Sequence, residues 1–249
     1  LVISIGSQNL RGLMAQLGPL LKPPLDVVLC MKGLEMETGL RLSQIAGQYL
    51  SPSIPVSVWL GPGHVQEFLA GIPNCMVIDS LDEAAKDRLI QAFRGDLIRF
   101  YYGQDLLGNE VGAAAKNVIG IAAGMLDGLD RTNLKGALMS RGTREIALLI
   151  AAMGGSEQSA YGLCHLGDYQ ATVFSPFSHN RCFGEAMVKK QPFQKLAEGY
   201  YTVKALLSLG ERYGVELPIC AAVEAVLYQG ADPMESLDRL FTRSLKKEF

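Results

Sequence analysis

Leu97-Ile98-Arg99-Phe100-Tyr101-Tyr102-Gly103-Gln104-Asp105 is the stretch on which the reading of the fold turns. Leu97–Tyr102 is aromatic and apolar enough for a strand, and Gly103 ends it. Upstream, short β-rich runs alternate with helical ones. The strand candidates are Leu1–Ile5, Asp26–Met31, Val56–Leu60 and Cys75–Asp79. Between them, helices are predicted over Leu10–Leu21, Glu37–Tyr49 and Ser80–Phe93, the last opened by a capping box of Ser80 and Glu83. Such alternation means βαβ units and a mostly parallel sheet.

Downstream of Asp105 the β pattern does not return. Helical readings cover Val111–Leu126, Thr132–Met153, Arg181–Lys190, Gly199–Tyr213, Ile219–Tyr228 and Pro233–Arg243. Leu134, Leu138, Ile146 and Ile150 fall at helical spacing. Pro218 suits a helix start and Gly230 a helix end. The expectation is α/β plus all-α: residues 1–104 in an α/β unit and 105–249 in a helical one.

Bulk properties narrow the function classes. The chain has 249 residues, 49% hydrophobic and 19% charged, with mean hydropathy +0.17. Disorder needs the opposite balance. A net charge of -2 gives no support to a nucleic-acid binder or a membrane-surface protein. Apolar runs are interrupted too early to span a bilayer; Lys116 and Asn117 break the longest. Five cysteines without a CxxC pair point to a reducing, cytoplasmic setting. Three histidines without HxH or HExxH spacing give no basis for a metal site. The chain opens on leucine inside an apolar run, so it is expected to be a piece of a longer protein.

Lys116 is the strongest anomaly. It stands in Gly112-Ala113-Ala114-Ala115-Lys116-Asn117-Val118-Ile119-Gly120, a helix otherwise small and apolar. Gly112 and Gly120, four residues either side, let a ligand or backbone come close. Desolvation lowers a lysine's pKa and suits it to proton transfer near neutrality. The pattern equally allows a lysine that snorkels to solvent. Lys32 leaves the carboxyl end of Asp26–Met31, where open α/β sheets bind ligands; an exposed loop lysine fits as well. Gly61-Pro62-Gly63 permits close backbone approach or simply a turn. Ser178-His179-Asn180, ahead of a helix expected at Arg181, offers an anion site or plain capping.

The ordered set says more. Ile5-Gly6-Ser7-Gln8, Met31-Lys32-Gly33, Gly61-Pro62-Gly63, Ala115-Lys116-Asn117 running on to Gly124, Leu166-Gly167-Asp168, Ser178-His179-Asn180-Arg181 and Ala197-Glu198-Gly199 occur in this order. The set resembles the NAD(P)-dependent glycerol-3-phosphate dehydrogenase family over essentially the whole chain. The resemblance implies the C-terminal part of a Rossmann NAD(P)-binding domain followed by a helical substrate domain of the 6-phosphogluconate dehydrogenase C-terminal-like kind. It implies reversible hydride transfer between NAD(P)H and dihydroxyacetone phosphate, giving sn-glycerol 3-phosphate for phospholipid synthesis. Lys116 would be the acid/base, with Asp168 and Lys32 beside it. Gly61, Gly63, Ser178, His179, Asn180 and Arg181 would contact the phosphorylated substrate. Lys32, Val65, His179, Leu196 and Glu198 would contact the cofactor. A homodimer is one assembly open to it.

Three departures accompany the resemblance. The family's glycine-rich turn lies upstream of Leu1, so the expected cofactor site and parallel sheet are incomplete. Gly63 stands where a serine is usual. His179 stands where an arginine is usual, which leaves Arg181 as the other candidate for the phosphate. These changes keep open a related dehydrogenase of another small hydroxy compound, and a catalytically silent binding module.

Overall fold

Each apolar run of the first hundred residues enters one five-stranded sheet in the order β1-β2-β3-β4-β5. The strands are β1 (Val2–Ile3), β2 (Val27–Leu29), β3 (Val56–Leu60), β4 (Asn74–Ser80) and β5 (Ile98–Tyr102). The structure, a computed structural model, describes residues 1–63 and 65–244. β1, β2 and β3 are parallel, with Val2 beside Val28 and Val28 beside Ser57. β4 runs antiparallel to β3, and β5 is parallel to β4. The reversal follows from the connection: between β3 and β4 lies only α3 (Val65–Leu69), too short to return the chain for a parallel crossover. The carboxyl ends of β1, β2 and β3 therefore collect at one edge, with Gly6-Ser7, Lys32-Gly33 and Gly61 just beyond them.

In the first hundred residues the helix boundaries differ from the sequence reading for local reasons. Helix α1 spans Leu10–Leu17 as expected, then tightens into a 3-10 turn. The helix expected over Glu37–Tyr49 is only α2 (Leu42–Gly47). Residues before it form a turn in which Gly39 has φ +69° and Leu34 bridges Arg41. Helix α4 (Glu83–Phe93) is capped by Asp82, whose carboxylate accepts from the Ala85 amide at 2.8 Å. Ser80 instead ends β4 and donates to the Val56 carbonyl.

The long helix α5 (Leu106–Gly128) joins the two halves. It starts five residues before the apolar periodicity does, because Asp105 caps it through the Gly108 amide. Leu106 and Ala113 pack with Ile3, Leu29 and Leu60 under the sheet. Val118, Ile119 and Ile121 belong to the helical core with Ile146, Leu149 and Val203. Arg41 and Ser43 hold the buried Glu110 carboxylate, tying α2 to the first turns of α5.

Around α5 stand α6 (Lys135–Ala152), α7 (His179–Val188), α8 (Glu198–Tyr213), α9 (Pro218–Gln229) and α10 (Pro233–Phe241). Gly124 on α5 and Gly184 on α7 let the two backbones touch. A Cβ on the first would collide with the Arg181 carbonyl, and on the second with the Ile121 carbonyl. This crossing brings the start of α7 alongside Asn117 and Gly120. Pro218 opens α9 and Gly230 closes it in the left-handed region, as expected. Among the described residues, no helix is long and apolar enough to cross a membrane.

Candidate active site

Lys32 and Lys116 come from opposite halves of the chain and meet on one oxygen of Asp168. Lys32 Nζ lies 2.5 Å from Asp168 Oδ2 and donates to the Gly61 carbonyl at 2.6 Å. Lys116 Nζ is 3.0 Å from the same Oδ2 and donates to Thr172 Oγ1 at 2.7 Å. Asp168 is 1% exposed, and its other oxygen, Oδ1, is buried without a hydrogen-bond partner. Two ammonium groups thus share one carboxylate, which leaves a local excess of positive charge and an open acceptor.

Burial pushes the Lys116 pKa down to about 8. The Asp168 charge raises it and the neighbouring Lys32 charge lowers it. The lysine does not snorkel: only a tenth of its side chain is exposed, and its ammonium is held by Asp168 and Thr172.

A second set of bonds frames this cluster. Asn117 Nδ2 donates to the Lys32 carbonyl at 3.0 Å. Asn180 Nδ2 donates to Asn117 Oδ1 at 3.1 Å, and Asn180 Oδ1 accepts from the Gly199 amide at 2.9 Å. Glu198, first residue of α8, accepts from the Ser7 amide at 2.9 Å and from the Ser7 hydroxyl. The carboxyl ends of β1 and β2, the middle of α5 and the starts of α7 and α8 are therefore one bonded unit. Ser178 caps α7 by accepting from the Arg181 amide, leaving His179 exposed in its first turn.

Arg181 is not in this unit. Its Nε donates to Asp127 Oδ2 at 2.6 Å, and Nη2 faces Glu185. Asp127 is eleven residues beyond Lys116, about 16 Å along the helix. Of the two residues left open for the phosphate, Arg181 is thus paired with carboxylates on α5 and α7, and His179 is exposed. Gly63 has φ +140°, and a Cβ there would come within 2.8 Å of the Phe68 ring. A serine in its place would push the Phe68 ring aside and strain the backbone.

The donor set suits a dinucleotide's reactive end. Backbone comes close at Gly33, where a Cβ would fall 2.5 Å from Ser7 Oγ. Val65 and Leu196 are 68% and 50% exposed, apolar surface of the kind a planar ring covers. Among the described residues, no cluster of histidine, cysteine or carboxylate side chains is arranged to hold a metal.

Comparison with known proteins decides the lineage. Residues 1–86 match the model of the NAD-dependent glycerol-3-phosphate dehydrogenase N-terminus, and residues 105–238 that of its C-terminus. The chain belongs to this family. It is 36% identical to glycerol-3-phosphate dehydrogenase (NAD(P)+) 1 of Salinibacter ruber, over 99% of this chain and 75% of that protein. It is also 36% identical to the Janthinobacterium glycerol-3-phosphate dehydrogenase (NAD(P)+), over 100% of this chain and 77% of that one. The crystal structure of the Coxiella burnetii glycerol-3-phosphate dehydrogenase superposes with a TM-score of 0.91 at 26% identity, covering 97% of this chain and 76% of that one.

The site of this family member also holds residues the sequence reading did not assign. Asn117 was visible as a second polar residue in the apolar stretch of α5. Thr172 stands four residues after Asp168, but the widened π turn of Gln170–Phe174 that aims it at Lys116 leaves no periodic signal. His165 and Tyr169 flank the Leu166–Asp168 turn and are both fully buried.

Proposed function

We propose that this chain works as an NAD(P)-dependent glycerol-3-phosphate dehydrogenase in which Lys116 is the proton donor to the substrate oxygen. The observation that carries the reading is the pair of lysines on one oxygen of buried Asp168, with the second oxygen unpaired. NAD(P)H supplies, when bound, the hydride that reduces dihydroxyacetone phosphate to sn-glycerol 3-phosphate, a precursor of phospholipids. Lys116, with its pKa near 8, is mostly protonated at neutral pH and gives a proton to the developing alkoxide. Asp168 orients it, and Asp168 Oδ1 is free to accept from a substrate hydroxyl. Lys32 adds positive charge that favours the anionic substrate and stabilises the oxyanion. His179 and Asn180, with the amides of the first turn of α7, take the remote phosphate. Ser178 supports them as the cap. Holding that phosphate positions the reacting carbon and contributes binding energy in the transition state.

Lys32, Glu198, Leu196, Val65 and His179 are the residues we assign to the cofactor. Residues 1–104 form, in this reading, the C-terminal part of the Rossmann NAD(P)-binding domain, and 105–249 the substrate domain. Gly61 contributes its carbonyl to Lys32, and Gly63 leaves room beside it. The five free thiols are in keeping with a cytoplasmic setting.

The test is steady-state oxidation of NADH and NADPH with dihydroxyacetone phosphate by the full-length protein and its Lys116→Ala variant. The variant is expected to lose ~10²–10⁴-fold in kcat with little change in KM. Near-normal turnover in Lys116→Ala would move the proton donor elsewhere.

A further inference from the structure

We propose that His165 and Tyr169 are positioning residues for this reaction: they lock the Leu166–Asp168 turn onto α5 so that Asp168 stays against Lys116. The inference rests on the reading that Lys116 and Asp168 handle the proton.

The two side chains bracket Asp168, and both are 0% exposed. His165 Nδ1 is 2.8 Å from the Gly112 carbonyl. That carbonyl only accepts, so Nδ1 carries the ring proton and Nε2 is an acceptor. Tyr169 fills it: its hydroxyl donates to Nε2 at 2.7 Å. The rings meet edge to face, 4.9 Å apart. Both ends are thereby fixed in one tautomer, with no donor or acceptor left over at the imidazole. The backbone joins in, since the Asp168 amide donates to the His165 carbonyl at 3.0 Å.

The anchor point matters. Gly112 lies one helical turn before Lys116 on the same face of α5. A tether from Gly112 to residue 165 therefore sets the spacing between the lysine and the carboxylate three residues later in the turn. Packing leaves no slack: a Cβ on Gly112 would sit 3.0 Å from His165 Cβ. Burial pushes the His165 pKa down to about 4, so the ring stays neutral at working pH and contributes geometry rather than charge. The groups that face Lys116 are Asp168 from the turn, Lys32 from the loop after β2, and the Thr172 hydroxyl. Of these, Asp168 is the one whose placement the His165–Tyr169 pair controls, and it is the one that holds the Lys116 pKa up.

The experiment compares wild type, His165→Leu, His165→Asn and Tyr169→Phe in the full-length protein, reading kcat for dihydroxyacetone phosphate reduction against pH and KM at each pH. His165→Leu is expected to lower kcat by about 10- to 100-fold, the scale of a small misplacement of a catalytic group. Its alkaline limb should move to lower pH, because a displaced Asp168 no longer supports protonated Lys116. His165→Asn places an amide where Nδ1 was, restores the bond to Gly112, and should recover most of the limb. Tyr169→Phe keeps the packing and should show the same shift at smaller size; it carries the test if His165→Leu does not fold. An unmoved limb and unchanged kcat in His165→Leu and Tyr169→Phe, with only the melting temperature lowered, would overturn the proposal. Asp168→Asn runs alongside: if it too leaves kcat and limb unmoved, the reading of the site falls and the proposal with it.

Discussion

Two carboxylates pair with two cations each along α5, and they differ in one respect. Asp127, near the end of the helix, is saturated. Oδ2 accepts from Lys135 at 2.7 Å and from Arg181 at 2.6 Å, while Oδ1 accepts from Thr132. Lys135 also donates to the Val173 carbonyl. Asp168, beside the middle of the helix, gathers both lysines on one oxygen and leaves the other bare. The first cluster closes on itself and fastens α5 to α6 and α7. The second has one carboxylate oxygen without a protein partner, and our proposal places a substrate hydroxyl there. An unsatisfied buried acceptor is costly, so it persists where a ligand completes it.

The difference is broken most sharply by removing one member from each cluster. Lys116→Ala is expected to lose ~10²–10⁴-fold in kcat with modest change in melting temperature. Asp127→Asn should leave kcat per folded molecule near wild type. It strands the buried Lys135 ammonium, at a cost of ~3–5 kcal/mol, which lowers the melting temperature by roughly 10 °C. Burial pushes the Asp127 carboxyl up, but hydrogen bonds from Lys135 and Thr132 and the Arg181 charge outweigh it and hold it below the usual range. A depressed carboxylate pKa contributes stability above the ordinary carboxylate range, and that stability is lost as pH falls through the depressed value. Calorimetric melts of wild type from pH 7 to pH 3 should therefore fall more steeply than those of Asp127→Asn. Equal acid slopes would deny the cluster its fastening role.

Titration sharpens the contrast at the other cluster. In the proposed mechanism reduction uses protonated Lys116, so kcat should be full well below about pH 8 and decline as pH rises through it. Glycerol 3-phosphate oxidation uses the neutral form and should rise through the same value. Lys32→Met removes a charge that lowers the Lys116 pKa and should move the limb to higher pH; Asp168→Asn should move it to lower pH. Pre-steady-state rates of hydride transfer against pH in the three proteins would check both directions. Shifts of the same sign in both variants would mean that the limb belongs to another group.

Much of this was legible in the sequence, and the misses have physical causes. All five strands were read at the right places, because each is a short apolar run bounded by turn residues. Gly61-Pro62-Gly63 did not disclose that β4 reverses, since direction depends on how far the next segment travels. Lys116 stood out because a charge in an apolar helix is visible as composition. Asp168 was found only through the resemblance, and Thr172, His165 and Tyr169 are aimed by irregular 3-10 and π turns that carry no period. Nor could spacing show that Arg181 faces Asp127: that depends on which side of α7 meets α5, and the close crossing at Gly124 and Gly184 settles it.

The smallest expected effect concerns the phosphate end. With Arg181 paired to Asp127, the side chain exposed at the start of α7 beside Asn180 is His179. The helix amides and the α7 dipole attract the phosphate whatever stands at this position. A guanidinium carries a fixed charge and binds a phosphate in two-pronged fashion, which an imidazole does not. KM for dihydroxyacetone phosphate should therefore fall by about a few-fold in His179→Arg, read at one fixed pH. Arg181→Ala is the control. It should cost stability through Asp127 and leave KM unchanged in folded protein. An unchanged KM in His179→Arg together with a large KM increase in Arg181→Ala would mean that Arg181 leaves Asp127 when substrate arrives, and that the two clusters on α5 exchange a partner during turnover.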